Sequence, residues 1–232
     1  MLSKNLIPAI TLVLILVNCI VTYLFDLDAG RWARLITTLI FFTLSIGRGR
    51  RNMKILVAFS FLLFSDILLF FYENSLASSV TFILRIVAYL LLVSTVFPQI
   101  RNLKSSLFQR FVFLLVFGVN LVMLVFLVDM IPAKFDYPYM NVLFYAYGIT
   151  MLALLIAAIS YNNRYSDEPS FFFAAAALFL VFSDITSFIA YYLEFYEFYY
   201  PDRIFYILGL AGLIKFSRFA GRRRAVPQLE SL

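Results

Sequence analysis

The chain has 232 residues, of which 63% are hydrophobic and 14% charged, and its formal net charge is +6. A soluble domain carries about 25% charged residues, so this composition predicts an integral membrane protein built as one membrane domain. With no His and a single Cys, Cys19, the sequence excludes an intramolecular disulfide and argues against a zinc site. We expect no metal and no cofactor. The basic residues suit membrane orientation and need no nucleic-acid partner.

Eight segments predict membrane-spanning helices, because a spanning helix needs about 20 mostly apolar residues. They are residues 6–25, 32–47, 53–72, 76–97, 108–130, 138–160, 170–193 and 200–219. The second segment is short, so we expect it to extend into its flanks. The membrane domain then covers residues 1–224, and residues 225–232 are predicted to be a disordered tail. The fold class is therefore all-α, with eight transmembrane helices.

The Lys and Arg residues predict the orientation of these helices. Most of them lie on the side of the bilayer that also holds both termini, while the other side has most of the loop acids and four basic residues, Arg31, Arg34, Lys134 and Arg203. Since the positive side is cytoplasmic, both termini are expected inside the cell. A multi-pass protein of the bacterial inner membrane fits this pattern.

A repeated phrase predicts two related halves. Residues 61–67 and 179–185 both read Phe-Leu-x-Phe-Ser-Asp-Ile, and Arg85-Ile86 matches Arg203-Ile204 in the same register. We therefore expect two four-helix halves, residues 1–104 and 105–224. Because each half has an even number of spans, the halves should be related by an axis along the membrane normal.

The two aspartates of the repeat, Asp66 and Asp184, are the candidate catalytic residues. They are the only carboxylates well inside apolar spans, where an ionisable group costs at least about 2.5–3.5 kcal/mol. The alternative is that each is a buried structural anchor. We expect the pairs Asp66–Arg85 and Asp184–Arg203. Either arginine could instead bind a phosphate or carboxylate, or Arg203 could extend to the membrane interface.

Further polar residues share a face with Asp184. Ser187 and Tyr191 follow it at helical spacing and predict a polar stripe that rises to the outer surface. We expect both, together with Arg85 and Arg203, to bind substrate. Ser65 and Ser183 precede the aspartates, but without a His base they are expected to form interhelical hydrogen bonds.

The second half carries a resemblance to a known family. The residues concerned are Leu-Phe-Leu-Val-Phe-Ser-Asp at 178–184, followed by Ala190, Phe195 and Pro201. This pattern resembles the YhhN / lysoplasmalogenase family of eight-span membrane proteins. Ser65 stands where the family usually has Gly, and Ala211 where it often has Gln.

The resemblance implies an activity and a lysophospholipid partner. It implies hydrolysis of the vinyl ether bond of lysoplasmalogens, which gives a fatty aldehyde and a glycerophospho-base. Asp66 and Asp184 would then be the acid and the base or cation stabiliser, in an order left open.

Two other classes of function remain open from the residues alone. One is a proton-coupled transporter of a small solute with Asp66 and Asp184 as proton sites, in which Gly209 and Gly212 are the main candidates for a helix break. The other is a lipid-binding membrane protein without turnover. A cavity that holds both carboxylates would favour the enzyme, a path across the membrane the transporter, and fully satisfied carboxylates without a void the third class.

Overall fold

The computed structural model describes residues 6–49, 53–100, 118, 121–122, 124–128 and 138–223. These residues form eight helices and, within that part of the chain, no strand. The helices are α1 (Leu6–Leu24), α2 (Leu27–Gly49), α3 (Met53–Leu68), α4 (Ser75–Ile100), α5 (helical at residues 118, 121–122 and 124–128), α6 (Pro138–Tyr165), α7 (Glu168–Tyr192) and α8 (Tyr199–Arg223). Two 3₁₀ turns, Leu69–Phe71 and Tyr196–Phe198, follow α3 and precede α8.

The all-helical prediction is confirmed, and the second segment extends into its flanks as expected, since α2 covers Leu27–Gly49. Five helices are long and apolar enough to cross a membrane: α1, α3 with its 3₁₀ turn, α4, α6 and α7. The chain is thus a multi-pass membrane protein. The helices α2 and α8 have similar lengths but more polar sequences. Eight spans and their orientation stay predictions.

Some predicted features fall outside the described residues. Most of the fifth segment does, as do the boundary between the two halves at residue 104 and the tail at 225–232.

Local signals in the sequence fix several helix starts. Asp167 caps α7 by accepting a hydrogen bond from the Ser170 amide at 3.0 Å, and the Ser170 hydroxyl accepts from the Asp167 amide, which completes a capping box. At the start of α4, the Asn74 side chain accepts from the Leu76 amide at 2.9 Å. These caps satisfy amides that the first helical turn leaves without partners.

Two pairs of chain neighbours pack most closely, and α4 and α8 also contact helices of the other predicted half. The closest packing joins α7 to α8 and α3 to α4, while α8 also contacts α1 and α2, and α4 contacts α6. A Cβ on Gly212 would lie 2.9 Å from the Ala176 Cβ, so this glycine allows α7 and α8 to approach closely. The helix α8 runs unbroken through Gly209 and Gly212.

Candidate functional site

A cavity lies at the end of the bundle where α2 and α8 begin and where α7 ends. Its empty volume is about 950 Å³, open mouth included. Aliphatic and aromatic side chains form much of the wall, among them Phe82, Leu124 and Phe144. The ionisable and hydroxyl side chains on the wall are Arg31, Arg34, Arg85, Arg203, Asp184, Thr81, Ser187, Tyr72, Tyr147, Tyr191, Tyr192 and Tyr199. The cavity is therefore amphiphilic, and Asp184 is the carboxylate on its wall.

Asp184 is held by side chains of α4. One oxygen accepts a short hydrogen bond from the Arg85 guanidinium, and the other accepts a short hydrogen bond from the Tyr89 hydroxyl. Tyr147 of α6 stacks on the Tyr89 ring at 6.0 Å between centroids, and its hydroxyl lies 3.5 Å from Arg85 Nη1. Asp184 is 6% exposed and faces the cavity. Its carboxyl group therefore has a fixed position beside open space.

Arg85 connects the two repeat aspartates. Besides Asp184, it donates from Nε to the Ser65 hydroxyl at 3.2 Å, and its Nη2 lies 3.5 Å from Asp66 Oδ1. A guanidinium has five N–H donors in a rigid plane, so one arginine can orient several acceptors at once. The position of Asp184 thus depends on Asp66 through Arg85.

Asp66 lies in a closed environment. It is fully buried and is not among the residues that line the cavity. Its Oδ1 accepts from Arg34 Nε at 3.1 Å, and its Oδ2 accepts from the Thr38 hydroxyl at 2.6 Å and the Tyr206 hydroxyl at 2.7 Å. A buried carboxylate with this many donors is well compensated for its burial.

A third buried carboxylate, Asp202, links α2, α7 and α8. It accepts from Arg34 Nη1 at 2.9 and 3.0 Å and from the Ser183 hydroxyl at 2.6 Å, and it lies 3.2 Å from Arg203 Nη1. The Arg34 guanidinium also lies 3.8 Å from the centre of the Tyr206 ring. These contacts fix Arg34 and Arg203 on the cavity wall.

The structure places five of the six predicted site residues on this wall: Asp184, Arg85, Ser187, Tyr191 and Arg203. The expected proximity of Asp66 and Arg85 is present, at 3.5 Å. The expected pair Asp184–Arg203 is wrong. Asp202, the neighbour of Arg203 in sequence, pairs with it instead, while Arg85 from the other half reaches Asp184. Arg203 is therefore buried within the protein, with 4% of its surface exposed, rather than extended to the membrane interface.

The hydroxyls of Ser65 and Ser183 form the expected interhelical hydrogen bonds, with Arg85 of α4 and Asp202 of α8.

Sequence reasoning assigned Arg34 only to the outer side of the membrane and did not single out Asp202. The sequence did contain a signal for both residues, because Arg34 lies inside the predicted segment 32–47 and Asp202 inside 200–219. A charged residue inside a predicted span usually faces the bundle interior. The partners Tyr89, Tyr147, Tyr206 and Thr38 were missed too, since aromatic and hydroxyl residues are frequent throughout these helices.

The rim of the cavity carries a more exposed charge cluster. Arg31 forms a short salt bridge with Glu73 and lies 3.1 Å from Asp28. Partial burial raises the pKa of Glu73, but the hydrogen bond from Arg31, a backbone hydrogen bond and the charge of Arg31 together outweigh that effect, and the pKa is below its usual value. Nearby, the hydroxyls of Tyr72 and Tyr192 lie 3.0 Å apart. Within the described part of the chain, no three His, Cys, Asp or Glu side chains are grouped to hold a metal ion.

Comparison with known proteins gives one family match. The model of the YhhN family matches residues 30–214, a range that includes Arg31, Arg34, all three buried aspartates, Arg85 and Arg203. No curated protein matches the chain, and no solved structure matches it. Because the match covers most of the chain and its whole buried charge cluster, the protein belongs to the YhhN family.

Proposed function

We propose that the protein is a lysoplasmalogenase-like hydrolase that cleaves the vinyl ether bond of an alkenyl lysophospholipid in the membrane. The membrane we propose is the bacterial inner membrane. One observation carries the proposal: the carboxyl group of Asp184 faces an amphiphilic cavity while two fixed donors, Arg85 and Tyr89, hold it. Membership of the YhhN family supports the same reaction class.

The chemistry of the cavity wall suits a single-chain lipid. Aromatic and aliphatic residues such as Phe82, Phe144 and Leu124 offer a surface for the hydrocarbon chain, and arginines and tyrosines offer one for the polar end. Ligand pockets commonly combine an apolar wall with a few fixed polar groups. We assign Ser187, Tyr191 and Arg203 to contacts with the polar part of the substrate.

The reaction we propose uses the Asp184 carboxyl group twice. As a carboxylic acid it donates its proton to the alkene carbon that is not bonded to the ether oxygen. This leaves an oxocarbenium ion, centred on the other alkene carbon (the ether carbon), and the Asp184 carboxylate. That carboxylate then accepts a proton from the water that adds to the ether carbon. The products of this step are a hemiacetal and the regenerated carboxylic acid, and the hemiacetal collapses to the aldehyde and the glycerophospho-alcohol. No other co-reactant is consumed.

Two donors already positioned at Asp184 favour the first step. Arg85 and Tyr89 donate to the carboxyl oxygens, on which negative charge develops as the proton leaves. Donors that are fixed before the reaction stabilise such charge without reorganisation.

Asp66 takes a different role in this proposal. Because it is fully buried and lies off the cavity wall, it acts as a positioning residue that orients Arg85. This revises the expectation of two catalytic carboxylates.

The alternative of a proton-coupled transporter receives no specific support. Asp66, one of its two expected proton sites, is fully buried among four donors, and α8 is continuous through both of its glycines.

The experiment compares three chain-matched lysophospholipids with purified protein in a neutral detergent: 1-alkenyl, 1-alkyl and 1-acyl. We expect aldehyde from the alkenyl lipid and no product from the other two, because only the vinyl ether carbon can accept the proton. Arg164→Gln, an exposed change outside the cavity, is the control and should match the wild type. Absence of aldehyde from folded wild-type protein with both choline and ethanolamine headgroups would reject the proposal and favour a lipid-binding protein without turnover.

A further inference from the structure

The buried charges of the site do not balance. Among the described residues, the buried charged side chains are four arginines, Arg31, Arg34, Arg85 and Arg203, and three aspartates. All four arginines line the cavity, whereas Asp66 and Asp202 lie behind its wall. Arg31 forms salt bridges with Asp28 and Glu73, and the side chains of these two acids are largely exposed to solvent. On the cavity wall itself, the described residues thus place four guanidinium groups and one carboxyl group, that of Asp184.

The donors of two of these arginines are incompletely used. Arg34 donates from Nε and Nη1, but its buried Nη2 donates to no acceptor in the described residues. Arg203 approaches Asp202 through Nη1, and its buried Nε also lacks an acceptor there. Buried N–H groups of this kind are nearly always hydrogen-bonded in proteins. Both guanidiniums lie on the cavity wall, so a ligand in the cavity can supply the acceptors.

Arg85, in contrast, has its donors directed at protein acceptors. It contacts Ser65, Asp66, Tyr147 and Asp184. The site for a ligand anion is therefore centred on Arg34 and Arg203, whose donors are incompletely used, with Arg31 beside them at the rim, where its partners are exposed carboxylates.

We propose that Arg31, Arg34 and Arg203 form a binding site for a phosphate group, the phosphodiester of a lysophospholipid headgroup being the natural ligand. A phosphodiester carries a negative charge, which suits a wall rich in arginine, and guanidinium groups bind phosphate oxygens with well-fitted geometry. The three residues lie in the N-terminal third of α2 and of α8, and all three line the cavity. A headgroup bound there leaves the hydrocarbon chain to enter along Phe82 and Phe144, past Asp184. The inference deepens the proposed function and rests on it for the identity of the lipid.

Binding tests this inference separately from turnover. The probes are a 1-alkyl lysophospholipid, whose saturated ether is not cleaved in the proposed reaction, and the chain-matched 1-alkylglycerol, which lacks the phosphate. Dissociation constants are measured by calorimetry with full-length protein in a neutral detergent. We expect the wild type to bind the phospholipid at least about tenfold more tightly, as expected for hydrogen bonds to a charged group.

Substitutions then locate the site. Arg203→Gln should abolish most of this preference, Arg203→Lys should restore part of it, and Arg164→Gln should leave it unchanged. Arg31→Gln, at the rim, should also reduce the preference, and it provides a second test if Arg203→Gln does not fold. Equal binding of the two lipids by the wild type, or an unchanged preference in folded Arg203→Gln and Arg31→Gln, would overturn the proposal.

A competition arm identifies the source of the phosphate. If soluble glycerophosphocholine displaces the lipid and inorganic phosphate at the same concentration does not, the site binds a headgroup. Equal displacement by both assigns it to phosphate as such. Displacement by neither would contradict a phosphate site. A protein that binds in this way but releases no aldehyde would keep the site and lose the proposed reaction.

Discussion

Asp66 and Asp184 occupy equivalent places in a repeated phrase, yet their surroundings differ. Asp66 is fully buried and takes donors from three helices, namely Arg34 and Thr38 of α2, Arg85 of α4 and Tyr206 of α8. The closest donors to Asp184, Arg85 and Tyr89, both lie on α4, with Tyr147 of α6 beside them, and Asp184 faces the cavity. The comparison shows that residues outside the repeated phrase decide which carboxylate can meet a ligand.

The difference has an identifiable origin in α8 and α2. Leu84 precedes Arg85, whereas Asp202 precedes Arg203, so only the second half has a carboxylate at this place in its last helix. Asp202 binds Arg34, and Arg34 in turn binds Asp66. This chain of contacts closes the environment of Asp66 and has no counterpart around Asp184.

The largest expected effect that separates the two sites is on stability. Asp66→Asn takes one buried carboxylate from both Arg34 and Arg85, which keep Asp202 and Asp184 respectively, and loss of one member of a buried pair costs about 3–5 kcal/mol. Asp184→Asn should cost clearly less, because Arg85 keeps Asp66 and can meet water in the cavity. Denaturant unfolding in detergent measures both, with Asp28→Asn at an exposed side chain as the control. Equal losses for Asp66→Asn and Asp184→Asn would remove the distinction.

A matched pair of tyrosines gives the next largest effect. Tyr206→Phe removes a donor from Asp66 and should lower stability by about 1–3 kcal/mol, with little effect on kcat. Tyr89→Phe removes a donor from the carboxyl group that we propose to react, and kcat should fall by roughly 10²-fold, as on loss of one oxyanion donor. Aldehyde release and thermal unfolding of both variants give the comparison. The reverse pattern, with kcat lost in Tyr206→Phe, would exchange the roles of the two carboxylates.

The smallest expected effect concerns the rim. The lowered pKa of Glu73 means that its salt bridge with Arg31 stabilises the protein above the unfolded-state pKa, about 4.3, and that this stability is lost as pH falls through the lower folded-state value. Since the Glu73 side chain is largely exposed, Glu73→Gln should cost no more than about 1 kcal/mol near neutral pH. The unfolding midpoints of the wild type and of Glu73→Gln should differ at about pH 7 and converge at about pH 3. A difference that persists in acid would assign the effect to packing.

Much of the fold follows from the sequence, because long apolar runs and polar breaks predict helices directly, and α2 differed mainly in its ends. Helical spacing also predicted that Asp184, Ser187 and Tyr191 share one surface, and all three line the cavity. The partners of each carboxylate could not be predicted in the same way. They depend on how α4 and α8 pack across the two halves, and a repeat alone suggested pairing within each half, which is wrong for Asp184.

The most direct test of the account is the rate of aldehyde release by Asp184→Asn and Asp184→Glu, with unfolding temperatures that verify the fold. The account predicts that Asp184→Asn, which cannot donate a carboxylic proton, loses at least about 10²-fold in kcat, as on loss of a general acid, while remaining folded. Asp184→Glu should retain more activity than Asp184→Asn. Wild-type turnover in folded Asp184→Asn would contradict the assignment of Asp184 as the proton donor and with it the central claim.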